Sequence, residues 1–333
     1  MNPLIDLSKI KIVLAPMEGV VDSIMRDILT RIGGIDLCVT EFIRVTDQLI
    51  PDHVFYKYAP ELLSSSKTPA GTPLLVQLLG SNCEMLAANA ARAIHLGASG
   101  IDLNFGCPAK TVNRHDGGAS LLKDPSRIFN IVQSVRTAAP SSHGVSAKIR
   151  LGFHDKSRFL EIAKAVEEAG ASFLTVHART RDEAYLPPAH WEYIAKIREE
   201  LEIPVIANGE IWNLNDFKNC QQVSGCKTFM LGRGLVASPS LALQIQAELH
   251  RQTLESKENN HMLTWSEVLD FYREFIILSE QKKSSQFAVA RAKQWCKQFG
   301  RNYPEAILLF EQVKICHDID RLKSVLSIRA LDS

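Results

Sequence analysis

The sequence has almost no net charge, and its cysteines follow no pattern that would build a disulfide framework or a metal site. Its 38 Lys and Arg balance 37 Asp and Glu, for a net charge of +1. That balance excludes a globally basic nucleic-acid binder and leaves only a local patch for such a role. The seven cysteines are odd in number and scattered, which indicates the reduced thiols of a cytosolic protein. Cys220 and Cys226 are too far apart for a C-x-x-C pair, and no acidic arrangement suggests a metal, so we expect none.

Long apolar runs are also missing. No segment approaches the roughly 20 apolar residues that a membrane-spanning helix needs, and the N-terminus lacks the pattern of a signal peptide. We therefore expect a cytoplasmic protein with no membrane partner. Its 46% hydrophobic and 23% charged residues are those of an ordinary globular chain. The length of 333 residues suits a barrel of about 250 residues with an appendage.

Short apolar segments recur along the first three quarters of the chain, and helical patterns follow most of them. The segments are residues 12–15, 37–40, 74–78, 100–103, 145–150, 173–177, 205–207 and 228–231. Two of the helical stretches, 84–96 and 158–169, are followed by Gly97 and Gly170, which is a common way to end a helix. Eight βα units of this kind predict a closed (β/α)8 TIM barrel. We interpret the polar connection 41–72 as an elaborated loop with a short helix.

The pattern changes after about residue 249. Residues 251–260 are polar and are interpreted as a linker. Four amphipathic stretches follow, which predict a small all-α helical bundle: 265–278, 287–299, 304–313 and 319–328. We therefore predict a catalytic barrel over residues 1–250 and a helical domain over 251–333.

The C-terminal ends of the strands carry the candidate site residues, because active sites of such barrels lie there. Cys107 follows the fourth segment in a turn set by Gly106 and Pro108. It is either a reactive thiol on a loop or a buried structural cysteine. Lys148 lies on the fifth strand, where it could face an electron-rich ring or act as a Schiff-base nucleophile. His177 ends the sixth strand, where a satisfied core histidine is the commoner alternative.

Two glycine turns follow the seventh and eighth strands. They are Asn208-Gly209 and Gly232-Arg233-Gly234. Loops at these two positions of a barrel often bind phosphate through backbone N–H groups. The pattern therefore predicts a phosphate site, to which Arg233 adds a charge. Asp102, next to residues that we place inside the barrel, is expected to face outward or to cap an element.

A local basic patch is present in the helical region. The stretch from Lys282 to Arg301 contains six basic residues and no acidic ones. Arg291 and Lys293 are two residues apart and do not share one helical face. Such a stretch is either a solvated helix face or a surface that contacts phosphates.

These motifs together resemble the tRNA-dihydrouridine synthases, nearly from end to end. The matching blocks include L-A-P-M-E-G (14–19), D-L-N-F-G-C-P-A-K-T-V (102–112), K-I-R-L-G (148–152), V-H-A-R-T (176–180) and L-G-R-G (231–234). Residues 40–44, 208–212 and 290–295 are most similar to the bacterial C-type branch, which reduces uridine 16 in the D loop of tRNA. Gln298 and Lys314 depart from that branch, which has an aromatic residue and an arginine there.

The resemblance implies a role for each candidate residue. FMN would be the cofactor and NADPH, or NADH, the reductant, with tRNA as the substrate and no obligate protein partner for what we expect to be a monomer. The implied flavin-binding residues are Pro16, Met17, Glu18, Gln77, Lys148, His177, Asn208, Gly209, Glu210, Gly232 and Arg233. The implied tRNA-binding residues are Arg44, Asn104, Tyr185, Arg291, Lys293, Gln298 and Lys314. Cys107 would be the catalytic acid.

The implied reaction is reduction of the uridine C5=C6 bond, with hydride passing from FMN N5 to C6 and a proton from Cys107 to C5. A thiol of ordinary pKa, about 8.5, is still protonated at neutral pH and suits this role. The alternatives are an FMN barrel oxidoreductase that acts on a free pyrimidine, a tRNA-binding protein without catalysis, and a Schiff-base aldolase that uses Lys148. The first of these gives no reason for the basic helical tail.

Overall fold

The computed structural model describes residues 6–254 and 262–328. The chain forms two compact units. The barrel unit comprises Met1–Arg26 and Ile35–Gly232, and the helical unit comprises Asp27–Gly34 and Arg233–Ser333. The two units divide at Gly232, whereas the sequence places the domain boundary at residue 250. The division into a catalytic barrel and a tRNA-binding helical domain at residue 250 stays a prediction.

Within the described residues, every strand belongs to the barrel unit, and the strands pair in parallel. The described residues contain nine strands: β1 Ile12–Leu14, β2 Leu37–Val39, β3 Ile43–Arg44, β4 Leu74–Leu79, β5 Gly100–Asn104, β6 Gly144–Arg150, β7 Phe173–His177, β8 Val205–Asn208 and β9 Thr228–Leu231. Eight of them close a ring in the order β1-β2-β4-β5-β6-β7-β8-β9, and β9 pairs with β1. The short β3 pairs with the end of β4. The predicted (β/α)8 barrel is confirmed, and each predicted strand ends within one residue of the observed one.

Burial explains why these strands could be read from apolar runs. Parallel strands of a barrel are covered on both faces, so their sequences are continuously apolar and do not alternate. Every residue of β1, β4, β7, β8 and β9 is buried. Six strands contribute to one apolar cluster, and the side chains in it include Val13, Leu75, Phe173, Ile206 and Met230.

The helices of the barrel unit begin and end at local signals. Among the described residues they are α1 Ser23–Ile32, α2 Asp52–Tyr58, α3 Cys83–His95, α4 Lys110–Arg114, α5 Pro125–Ala138, α6 Phe159–Glu168, α7 Trp191–Glu200 and α8 Leu214–Ser224, although the last residues of α1 belong to the helical unit. Asn82 caps α3 by accepting a hydrogen bond from Met85 N, and Asn213 caps α8 by accepting one from Asp216 N. Gly97 and Gly170, just beyond α3 and α6, have φ of +106° and +88°, as the predicted glycine stops require.

The connection 41–72 contains the expected short helix, α2, together with β3 and a 3-10 turn at Pro60–Ser64. The turn carries Glu61, which receives two hydrogen bonds from the guanidinium of Arg26, from Nε at 2.8 Å and from Nη2 at 2.9 Å. Both side chains are buried, with 0% and 6% of their surface exposed. Arg26 also donates to the carbonyl oxygens of Val21 and Tyr58. This ion pair therefore holds the long connection against α1.

The helical unit contains six further helices within its described residues: α9 Arg233–Ala237, α10 Leu241–Leu254, α11 Trp265–Lys282, α12 Ser285–Phe299, α13 Pro304–Val313 and α14 Ile319–Val325. The last four are the predicted bundle. Buried aromatic rings form its core, including Tyr272, Phe275, Trp295 and Phe299. The end of α1 packs closely here, since a Cβ on Gly34 would lie 2.6 Å from the backbone of Ala242.

The predicted linker 251–260 is partly wrong, because α10 continues to Leu254; residues 255–260 lie outside the described residues. In the part of the chain that the structure describes, no helix is both long enough and apolar enough to span a membrane.

The Arg26–Glu61 pair should be a major stabilising interaction of the barrel unit. In Glu61→Gln the guanidinium of Arg26 stays buried and loses the carboxylate that accepts two of its hydrogen bonds, and breaking a buried pair costs about 3 kcal/mol or more. We expect thermal unfolding several degrees below that of the wild type. Glu200→Gln is the matched control, because its pair with Lys164, also at 2.8 Å, is exposed and should contribute little. Equal midpoints for the two variants would contradict the assignment.

Candidate active site

The strand register brings the predicted polar residues together at one mouth of the barrel. Asn104 on β5 pairs in register with Lys148 on β6, and His177 on β7 pairs with Asn208 on β8. Gln77 lies on the neighbouring β4. Five residues from five consecutive strands are thus adjacent, as their positions at the strand ends predict.

Lys148 is held by the side chain of Asn208. Its Nζ donates to Asn208 Oδ1 at 2.8 Å, and Asn208 Nδ2 donates to the carbonyl of Met230 at 2.7 Å. The pKa of Lys148 is lowered to about 7, first by burial and then by the nearby Arg150 guanidinium. At neutral pH the amine therefore divides between its charged and neutral forms, and it is poised to respond to a nearby negative charge.

Cys107 lies in a turn that several backbone hydrogen bonds define. Its N–H donates to Asn104 Oδ1 at 2.9 Å, as does the N–H of Gly106 at 3.0 Å. Its carbonyl accepts from Asn113 Nδ2 at 2.8 Å and from Ala119 N at 3.1 Å. The residue is only partly exposed, and burial raises the pKa of its thiol. The thiol is therefore protonated at neutral pH, which suits a proton donor and not a thiolate nucleophile.

The prediction for Asp102 is wrong, because its side chain is fully buried. It accepts hydrogen bonds from Gln77 Nε2 at 2.7 Å and from Ser146 Oγ at 2.6 Å. Asp102 and Asn104 are two residues apart and therefore share one face of β5. The spacing could have revealed this, because Asn104 is one of the predicted tRNA-binding residues and would then face the mouth.

Arg150 and Arg179 lie in the blocks 148–152 and 176–180, and both are buried and bind loop carbonyls. Arg150 donates to the carbonyl of Gly106 at 2.8 Å and to those of Thr180 and Ala184 at 3.0 and 2.8 Å. Arg179 Nε donates to the carbonyl of Leu186 at 2.6 Å. Arg150 therefore connects the Cys107 turn with the loop that follows β7.

That loop presents Tyr185 at the mouth. The ring is 49% exposed. Its plane is nearly perpendicular to that of His177, with 6.0 Å between ring centroids, and the Arg150 guanidinium lies 5.2 Å from its centre. The ring therefore has partners within the protein and still exposes surface, and aromatic side chains with exposed surface commonly stack on unpaired bases of RNA.

The turn after β8 has a strained, well-supported backbone. Gly209 and Glu210 have φ of +116° and +60°, and Trp191 Nε1 donates to the carbonyl of Gly209 at 2.9 Å. The Glu210 carboxylate accepts from Arg179 and, at 3.0 Å, from Trp212 Nε1. Its charge is therefore already compensated, and the turn can offer backbone groups to an anion.

The residue that follows β9 has little room for a side chain. A Cβ on Gly232 would lie 3.2 Å from Met17 Sδ and 3.4 Å from Ala15 Cβ. Arg233 follows directly and is the first residue of α9.

The loop after β1 contributes Pro16, Met17 and Glu18. Pro16 and Met17 are partly buried. The pKa of Glu18 is raised to about 7, first by burial and then by the Glu41 carboxylate, although much of its side chain reaches solvent. The repulsion between the Glu18 and Glu41 carboxylates favours the neutral acid at Glu18.

The predicted tRNA-binding residues differ in exposure. Arg44 and Lys314 are exposed, and Lys293 and Gln298 are partly exposed. Lys314 forms an ion pair with Glu311. Arg291, by contrast, is buried within the helical unit, with its guanidinium 5.5 Å from the ring centre of Phe275 and 5.9 Å from that of Phe287. Its position gives it a packing role whether or not it also contacts RNA.

In the described ranges, 6–254 and 262–328, no three His, Cys, Asp or Glu side chains are grouped so that they could hold a metal ion.

Solved structures resemble this chain in fold. A 2-naphthoyl-CoA reductase superposes with a TM-score of 0.55 at 11% identity, covering 72% of this chain and 50% of that one. An old yellow enzyme homologue from Zymomonas mobilis gives 0.52 at 14% identity, covering 72% and 88%. Such low identities establish the barrel fold and nothing further.

Sequence relatives are much more similar. A tRNA-dihydrouridine(16) synthase from Aquipseudomonas alcaligenes is 49% identical over 318 residues, covering 96% of this chain and 99% of the relative. One from Shewanella oneidensis is 50% identical over 316 residues, covering 95% and 97%. The family described as dihydrouridine synthase (Dus) matches residues 13–313. With a match over most of its length and relatives of this identity, the chain belongs to the dihydrouridine synthase family.

Proposed function

We propose that this chain reduces a uridine in the D loop of tRNA, at position 16, to 5,6-dihydrouridine, with FMN as bound cofactor and NADPH or NADH as reductant. The observation that carries the proposal is Cys107, a protonated thiol in a hydrogen-bonded turn at the barrel mouth. The relatives named tRNA-dihydrouridine(16) synthase support the substrate and the position.

Reduction of the uridine C5=C6 bond needs a hydride at C6 and a proton at C5. When bound, FMN supplies the hydride and is reloaded by the nicotinamide in a separate half-reaction. Cys107 Sγ–H is the proton donor for C5, since burial keeps the thiol protonated. Asn104 has a second N–H, beyond the one bonded to Gln77, with which it can contact the uracil edge.

The mouth suits a flavin in shape and in chemistry. A Cβ on Gly232 would crowd Met17, and the Gly209–Glu210 turn carries a compensated carboxylate. We assign the phosphate to Asn208, Gly209, Glu210 and Gly232, with Arg233 next in the chain. Gln77, Lys148 and His177 would meet the polar ring edge, and Pro16, Met17 and Glu18 would line one side of the ring.

The target base must leave the RNA stack to reach Cys107. Tyr185 is supported by His177 and Arg150 and exposed on its outer side, so we assign it the contact with the extruded base. Lys293, Gln298 and Lys314 of the helical unit and Arg44 of the barrel unit are the assigned tRNA contacts, and Arg291 contributes through packing at least. An FMN barrel that acts on a free pyrimidine would share the mouth and would not need these four residues.

Replacing the acid should stop reduction without disturbing binding. In Cys107→Ala we expect dihydrouridine formation to fall about 10²- to 10⁴-fold, the usual contribution of a general acid. Flavin retention and tRNA affinity should stay close to wild type, because Asn104 and Asn113 hold the turn through the backbone of residue 107 and not through its thiol. The rate is measured as dihydrouridine per tRNA over time. Wild-type kinetics in this variant would place the acid elsewhere.

The low pKa of Lys148 predicts a pH-dependent stability of the flavin-free protein. A folded pKa near 7 lies below the unfolded value of 10.5, so between these values the unfolded chain binds more protons. Stability therefore rises with pH from about 7 upward. Relative to Lys148→Met, the wild type should gain about 2 kcal/mol between pH 7 and pH 9. Urea unfolding of both proteins at the two pH values measures this gain. If the free energy of unfolding changed equally with pH in the wild type and in Lys148→Met, the low pKa would be refuted.

Lys293 should contribute to tRNA affinity through a phosphate. Lys293→Ala is expected to weaken tRNA binding and to reduce the slope of log affinity against log salt by about 1, or less for single-stranded RNA. Lys164→Ala, which removes an exposed lysine of α6 paired with Glu200, is the matched control and should leave the slope unchanged. Identical slopes in the two variants would favour a solvated helix face.

A further inference from the structure

A chain of side-chain hydrogen bonds leads from a buried carboxylate to the Cys107 turn. Gln77, Asp102 and Ser146 are in register on β4, β5 and β6 and thus form one row across three strands. Ser146 Oγ donates to Asp102 Oδ1 at 2.6 Å, and Gln77 Nε2 donates to Asp102 Oδ2 at 2.7 Å. Asn104 Nδ2 then donates to Gln77 Oε1 at 2.8 Å.

The hydrogen-bond chain ends at the backbone of the Cys107 turn. Asn104 Oδ1 accepts from the N–H groups of Gly106 and Cys107 at 3.0 and 2.9 Å. Asp102, Gln77 and Ser146 have no exposed surface, and Asn104 has 9%. Water therefore cannot readily replace any of these partners, and an unmade bond would leave a buried polar group unsatisfied.

The direction of this hydrogen-bond chain is enforced from the Cys107 turn, and the carboxyl group of Asp102 fits it. Burial raises the pKa of Asp102, but its Oδ2 can accept from Gln77 Nε2 in the ionised form and, with the proton on Oδ1, in the neutral form, so Gln77 can turn its NH2 group toward Asp102 and its oxygen toward Asn104. Backbone N–H groups only donate, so Asn104 must turn its oxygen toward the Cys107 turn and its NH2 group toward Gln77. If either amide flipped, two donors or two acceptors would face each other.

We propose that Asp102 is a positioning residue of the reaction, which fixes the orientation of Gln77 and Asn104 and thereby holds the Cys107 turn in place. It does not touch the reacting atoms. The assignment deepens the proposed function, since Gln77 and Asn104 each keep a second N–H for the flavin edge and the uracil. The hydrogen-bond chain therefore orients these two N–H groups as well as the turn that carries the thiol.

The direction argument makes Asp102→Asn the conservative variant. Its NH2 group can face Ser146 Oγ, whose hydroxyl can then turn toward the carbonyl of Ile101, 3.5 Å away. The oxygen of the new amide still accepts from Gln77, so the chain keeps its direction. Asp102→Leu has a similar size and no acceptor, so it releases Gln77 and Asn104.

Alkylation of Cys107 by iodoacetamide tests the positioning without bound flavin or tRNA. The rate is followed by mass spectrometry of the peptide that contains Cys107, because Cys83 is also partly exposed. We expect Asp102→Leu to react about tenfold faster than wild type, equivalent to about 1.4 kcal/mol, within the range for one buried hydrogen bond. Asp102→Asn should stay within about twofold. Thr175→Val, which replaces a buried hydroxyl without a hydrogen-bond partner, is the matched control and should also stay within about twofold.

A double variant provides a second test of the positioning role if Asp102→Leu does not fold. Ser146→Ala alone should behave as wild type, because Asp102 still accepts from Gln77. With Asp102→Asn and Ser146→Ala combined, the NH2 group of the new amide is buried without the Ser146 acceptor and only Gln77 is left to select its orientation, so Cys107 should react several-fold faster than either single variant predicts. The assignment would be overturned if the two single effects on the alkylation rate simply added in the double variant. It would also be overturned if Asp102→Asn and Asp102→Leu raised that rate equally.

Activity separates this inference from the proposed function. In the flavin-loaded protein, Asp102→Leu should lower kcat for dihydrouridine formation about 10²-fold with little change in KM for tRNA, and Asp102→Asn should restore it. If the alkylation rates follow the expected order while the wild type forms no dihydrouridine, the proposed function fails and the positioning role stands. Unchanged alkylation in every variant overturns the positioning role alone.

Discussion

The strand register of the closed barrel is the constraint on which the candidate site depends. Because all neighbouring strands are parallel, their carboxyl ends meet at one mouth of the barrel. Residues in register on adjacent strands lie side by side at one level. Gln77, Asp102 and Ser146 occupy one such level, with Asn104 and Lys148 at the next. A slip of one residue would turn a strand's side chains to the opposite face. The buried polar partners would then be lost together, so the register is specified by the polar residues of the mouth as well as by the apolar core.

The sequence was sufficient to predict the strands and most of the mouth, but not the contacts between strands. Strands such as β7 and β9 are continuously apolar because both faces are covered, so their limits are visible in the sequence alone. The hydrogen bond from Ser146 to Asp102 depends on the register of β5 against β6, which a single sequence does not contain. The role of Arg150 could not be predicted from the sequence for a related reason. Its three acceptors lie 30 to 44 residues away along the chain.

Burial shifts the ionisable groups of the mouth in one chemical direction, toward their neutral forms. It raises the pKa of Cys107 and lowers that of Lys148, because desolvation disfavours whichever form carries the charge. Arg150 opposes the shift at Cys107, and the effect of burial is larger. A neutral thiol is a proton donor, whereas a nucleophilic cysteine would need the reverse balance. The environment of Cys107 therefore agrees with acid chemistry independently of the family to which the chain belongs.

Arginine shows why charge counts alone do not locate an RNA-binding surface in this protein. Arg150 and Arg179 are buried and bind loop carbonyls, and Arg291 is buried against two aromatic rings. Arg291 was one of six basic residues that suggested a phosphate-binding stretch, yet its charge faces the interior of the helical unit. The exposed positions of that stretch are Lys282, Lys283, Lys297 and Arg301, with Lys293 partly exposed. Lysine acts on phosphate as a mobile point charge, without the paired geometry of a guanidinium. A surface built mainly of lysines would thus contribute affinity and salt dependence, and the choice of the target uridine would depend on the shape of the tRNA and on the barrel mouth.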